Sequence, residues 1–201
     1  MSNPSKTKSQ KNIPKNVLVL VAMYGHLDDS RNTIELEGKT KQYIPSFIEY
    51  IETNKSTIIA SVFCGGLTRK DYPIEESVEV LNYIYENEEL NLKTEDLNVF
   101  VESESQNMPE QIVFGILKMR VFLPEIEKIV FVCDTARSEK AQKLLQVLLS
   151  DTRYEFETVS FDRADEESNI NPAKIIESIQ PAIEQLNLLK PYFDAQLSKL
   201  S

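Results

Sequence analysis

The chain has 201 residues and contains no tryptophan, one histidine, two cysteines and five glycines. Each scarcity removes a class of function. Cys64 and Cys133 cannot build a disulfide framework, and no Cys or His spacing matches a metal-ligand motif. Each cysteine ends a strand-like apolar run and reads as a reduced core thiol. His26 has no Ser, Cys or carboxylate around it in a recognisable catalytic order, so the sequence writes no positioned general base. No apolar run approaches the ~18 residues of a membrane span, and the amino-terminal stretch lacks the apolar core of a secretion signal. A soluble, cytoplasmic protein without a membrane partner is expected.

Positive charge is the last thing in short supply. Twenty-two Lys+Arg face 32 Asp+Glu, for a formal charge of −10. Lys6, Lys8, Lys11 and Lys15 sit in residues 1–16 without an acid among them, which predicts a disordered basic tail. The remainder holds 18 basic residues, near −14, and such a body repels phosphate backbones and anionic lipid. Nucleic acid is not an expected partner. With 41% hydrophobic and 27% charged residues, 17–201 reads as a single globular domain with a sizeable core.

Five runs have the composition of strands: Val17 to Met23, Thr57 to Cys64, Leu97 to Val101, Lys128 to Cys133, and Glu155 to Phe161. Between them apolar residues recur at helical spacing: Ile44, Phe47, Ile48 and Ile51; Val78, Leu81 and Tyr85; Ile112, Val113, Ile116 and Leu117; Ala141, Leu144, Leu145 and Leu148. Alternating strand and helix predicts a Rossmann-like three-layer α/β/α sandwich around a mainly parallel five-stranded sheet. The last helical stretch, Ala173 to Leu189 and on to Leu200, contains Pro181 and Pro191, so a kink or break is expected there.

Right-handed crossovers bring every strand-to-helix loop to one edge of such a sheet, the usual ligand site of an open α/β fold. That edge would collect Tyr24, Gly25, His26, Asp28 and Asp29; Gly65, Gly66, Thr68, Arg69 and Lys70; Glu102, Glu104, Ser105 and Asn107; and Asp134, Thr135 and Arg137. The adjacent pair Gly65-Gly66, at a strand end before a helix, either makes a tight turn or lets a ligand approach the backbone. Asn107, with Glu110 three residues on and Pro109 between, has the spacing of a capping box. Asp134 and Thr135 can similarly cap the helix they precede.

Three segments in order also carry a family pattern. Cys64-Gly65-Gly66 is followed by Glu75-Glu76-Ser77. Next comes Glu102-Ser-Glu-Ser105-Gln-Asn107-Met108-Pro-Glu110-Gln111, then Val132-Cys133-Asp134-Thr-Ala-Arg137-Ser-Glu-Lys140-Ala141. Together, over roughly residues 17 to 149, they resemble the YdcF/SanA/ElyC-like family, domain of unknown function family 218. The family has Ser-Gly-Gly and Ser-Glu-Ala, then Glu, Ser, Asn-Thr and Glu-Asn, then Val-Thr-Ser, His and Arg-Ala. The chain departs from it at Ala22-Met23-Tyr24-Gly25, where the family strand end is glycine-rich, and at Asn107-Met108 and Glu110-Gln111. Arg137 replaces the family histidine and cannot act as a base at neutral pH; Lys140 replaces an arginine and loses its bidentate fork.

The resemblance implies a Rossmann-like sandwich with a cleft at the strand ends, links to envelope biogenesis, and binding of an adenosyl nucleotide such as S-adenosylmethionine. Combined with the edge residues, it predicts a nucleotide-like or phosphorylated small molecule. Gly65 and Gly66 would contact its polar part, Arg69, Arg137 and Lys140 its charge, and Glu76, Glu102 and Glu110 its hydroxyls or amines. A metal-assisted hydrolase or transferase is the alternative, with Asp28, Asp29, Glu102, Glu104 and Asp134 offering oxygen ligands. A degenerate, non-catalytic interaction protein is a third possibility. The motifs name no cofactor and fix no oligomeric state.

Overall fold

In the computed structural model of the chain, the described residues are 16–23, 33–67, 73–94, 96–162 and 171–200, without the side chains of 33–42 and 172. Five strands form one sheet: β1 (Val17–Ala22), β2 (Ile58–Cys64), β3 (Val99–Glu102), β4 (Lys128–Asp134) and β5 (Glu155–Phe161). Their order is β3-β2-β1-β4-β5 and every pairing is parallel. The expected Rossmann-like sandwich is therefore the observed one. Strand ends move by one or two residues where turns claim the backbone: the N–H of Thr57 donates to Asn54 O and that of Leu97 to Thr94 O, so β2 and β3 start later than their composition suggests.

The central strand β1 shows why three layers form. Its six residues Val-Leu-Val-Leu-Val-Ala are all buried, as a strand covered on both faces requires. Leu18, Leu20 and Ala22 enter one core, Val17, Val19 and Val21 the other. The Leu18 core is shared with α4 (Met108–Lys118), α5 (Ser138–Leu149) and α7 (Ile179–Leu197). On the Val19 side lie α1 (Thr33–Asn54), α2 (Glu76–Glu86) and α3 (Glu88–Thr94). There Phe47 stacks edge-on between Tyr43 and Phe63, at centroid distances of 5.4 and 5.3 Å.

Two helical expectations need correction. In α2 the buried apolar residues are Val80 and Ile84, whereas Tyr85 is 56% exposed and Val78 and Leu81 are half-buried. The helix buries its first polar residues, Glu76, Ser77 and Glu79, and the short α3 packs against α1 and α2. At the carboxyl end the break falls at Ser178, between α6 (Pro172–Glu177) and α7. Pro181 explains it, because its ring clashes with the carbonyl of Glu177 four residues back. Pro191, by contrast, is carried inside α7 without a break. No described helix is long and apolar enough to cross a membrane.

Candidate functional site

Parallel pairing puts Met23, Cys64, Glu102 and Asp134 at the same carboxyl edge of the sheet. On the β3 side, the residues singled out from sequence form one connected group. The N–H of Gly65 donates to Glu102 O (2.9 Å) and that of Gly66 to Ser105 O (2.7 Å). Ser77 Oγ donates to the carbonyls of Gly65 (2.6 Å) and Glu102 (3.0 Å), fastening the start of α2 to both strand ends. The glycines are needed for contact. A Cβ on Gly66 would stand 2.6 Å from Ser105 O and 2.7 Å from Ser103 O, and one on Gly65 would stand 2.8 Å from Met23 Cβ. Both N–H groups are spent on carbonyls, one at the end of β3 and one in the loop after it, so the pair shapes a wall and offers no amide cradle.

Glu102 is 4% exposed, and its Oε1 accepts from the N–H groups of Glu104 (2.7 Å) and Ser105 (2.9 Å). Its other oxygen, Oε2, has no partner among the described residues, and neither do Ser105 Oγ and Gln111 Oε1. Gln111, in the second turn of α4, donates from Nε2 to Met23 O (3.1 Å), which ties the helix to the end of β1. These three atoms are all but one of the unpartnered buried side-chain oxygens in the described residues. The remaining one, Ser61 Oγ, lies within β2. Tyr43, reaching in from α1, donates its hydroxyl to Ala22 O (3.0 Å) and Val132 O (3.3 Å) and spans the seam between β1 and β4.

Asn107 and Glu110 serve structure. Asn107 Oδ1 accepts from the Glu110 N–H (3.1 Å), while Glu110 Oε2 accepts from Gln106 N (2.8 Å), one residue earlier than a capping box predicts. Glu110 Oε1 also accepts from Gln185 Nε2 (3.2 Å) and so anchors α7.

The β4 side is internally paired. Asp134 Oδ1 accepts from the Arg137 N–H (3.0 Å), capping the short turn Thr135–Arg137, and Oδ2 is ion-paired with Arg137 Nη1. Lys140 donates to Ser178 Oγ (3.1 Å) at the α6–α7 junction. Burial, and then the charge of Arg137, pull the Lys140 ammonium below the usual lysine range. Cys133 and Cys64, buried free thiols beneath the two sides, are both pushed up, Cys133 to about 12.

Among the proposed contacts, Gly65, Gly66, Glu76, Glu102, Ser105, Asn107 and Glu110 gather around the ends of β2 and β3, and Asp134, Arg137 and Lys140 around β4. Tyr24, Gly25, Thr68 and Arg69 lie outside the described residues, as do His26, Asp28, Asp29 and Lys70. Gln111 and Tyr43 were missed by sequence reasoning, since a glutamine and a tyrosine inside helical patterns carry no signal of their own. Among the described residues, no group of three or more His, Cys, Asp or Glu is placed to hold a metal ion. A cavity of about 230 Å³ also lies between α2, α3 and β3, floored by Phe63, Ile84, Leu97 and Val99 with Tyr85 and Asn91 at its rim. No protein-family model, curated protein or solved structure matches the chain.

Proposed function

We propose that the chain binds a small molecule of nucleotide-like or phosphorylated type, S-adenosylmethionine among them, at the carboxyl edge of its sheet. The observation that carries this is the set of unpartnered buried atoms, Glu102 Oε2, Ser105 Oγ and Gln111 Oε1, at one sheet edge. Folded proteins leave few buried polar groups without a hydrogen bond, and each such group calls for a partner. The position is where open α/β sheets take their ligands. The cations Arg137 and Lys140 at the neighbouring strand end support an anionic portion in the ligand. The order of the three sequence motifs supports kinship with the YdcF-like family. Two buried free thiols support a reducing, cytoplasmic setting.

Native mass spectrometry of the purified chain, with calorimetry against S-adenosylmethionine, AMP and glucose 6-phosphate, tests the reading. Saturable binding of at least one, weakened by Glu102→Gln, is the expected result; silence across the panel would overturn it.

A further inference from the structure

We propose that the acceptor cluster beside the amino end of α4 receives a protonated amine of the ligand. The inference rests on the small-molecule reading above and specifies its chemistry.

The hydrogen-bonding inventory decides the polarity. Glu102 Oε1 is already engaged by two backbone N–H groups, which leaves Oε2 buried without a partner among the described residues. Gln111 has spent an amide hydrogen on Met23 O, and its carbonyl oxygen is buried without a partner among the described residues. Ser105 adds a hydroxyl that is fully buried. A carboxylate oxygen and an amide oxygen accept only, and a hydroxyl accepts as well. A phosphate would set acceptors against them, whereas an ammonium brings three donors and no acceptor. The wall offers a phosphate no compensation, because the Gly65 and Gly66 N–H groups are committed to Glu102 O and Ser105 O.

Charge points the same way. The carboxylate of Glu102 favours a cationic donor over a neutral one. The three acceptor residues are joined through short contacts: Glu102 bonds to Gly65, Gly65 abuts Met23, and Met23 bonds to Gln111. The ligand class is therefore a small molecule that carries a primary amine.

Calorimetry on the full chain with 6-aminohexyl phosphate and 6-hydroxyhexyl phosphate tests this, because the probes differ only in the terminal amine or hydroxyl. The expected result is binding of the amine at least tenfold tighter. Glu102→Gln keeps the oxygen that holds the Glu104 and Ser105 amides and should erase the difference, chiefly by weakening the amine probe; Ser105→Ala should narrow it. Equal binding of the two probes overturns the ammonium and leaves the small-molecule reading standing. Silence of both probes while S-adenosylmethionine, AMP or glucose 6-phosphate binds also overturns it, and silence of all five ligands overturns both proposals.

Discussion

The two halves of the sheet edge are built from similar residues and behave differently. At β4, Asp134 caps the turn that follows it and holds Arg137, and Lys140 is tied to Ser178. At β3, Glu102 holds its loop with one oxygen only, and its other oxygen, Ser105 Oγ and Gln111 Oε1 are buried with no partner among the described residues. Both halves position a loop with a strand-end carboxylate, but only the β3 half retains unmet hydrogen-bonding capacity. Burial of polar groups is costly unless they are satisfied. The difference places the unmet recognition capacity on the β3 side, while the polar groups of the β4 side are engaged within the fold.

Breaking the wall of the β3 half should have the largest effect. Gly66→Val drives a side chain into the carbonyls of Ser103 and Ser105, which are backbone and cannot swing away. A loss of about 3 kcal/mol in urea unfolding is expected. Asp134→Ala removes a cap and the buried partner of Arg137, and should cost about 2 kcal/mol. Asp134→Asn, which keeps the cap, should lose about half as much. If Asp134→Ala proved neutral, the β4 side would not be the self-contained structural half described above.

The two thiols sharpen the comparison through pH, one beneath each half. Cys133 is pushed up to about 12 by burial and then by Asp134, against the opposing charge of Arg137. Cys64 is pushed up by burial and then by Glu102, against a hydrogen bond involving the Val21 backbone. A raised thiol keeps its proton in the folded state while the unfolded chain loses it above its own pKa, about 8.5. The stabilisation is therefore complete below that pH and is lost as pH climbs towards about 12 for Cys133. Unfolding free energy should fall by about 1.4 kcal/mol per pH unit over that window for Cys133, and in the same direction for Cys64. Cys133→Ala and Cys64→Ala should each flatten the slope, and an unchanged slope would refute the assignment.

The smallest effect should have the opposite sign. Ser105→Ala removes a buried hydroxyl without a partner and should leave stability unchanged or raise it by up to about 1 kcal/mol, while weakening ligand binding. Loss of stability instead would mean that the hydroxyl is satisfied within the folded chain.

Much of the fold was legible in the sequence because strand composition and helical spacing act locally. The five strands and their parallel arrangement follow from runs such as Val17 to Ala22, where every residue is apolar. The α2 stripe was misread because its inward face begins with Glu76, Ser77 and Glu79, polar residues that a hydrophobic pattern cannot assign to the interior. The break at Ser178 was expected from Pro181 but displaced, since the clash acts four residues upstream. In the site, the strand-end residues were legible from topology. The direction of the glycine amides was not, because it depends on where the β3–α4 loop lies. The same limit hid Gln111 and Tyr43, whose contacts span 88 and 21 positions.

The most direct test follows backbone and side-chain amides by NMR during titration with S-adenosylmethionine. Saturable shifts at the Glu104 and Ser105 amides and the Gln111 side-chain amide are the predicted result. Shifts confined to Tyr85 and Asn91, at the cavity between α2 and α3, would contradict the assignment of recognition to the β3 half.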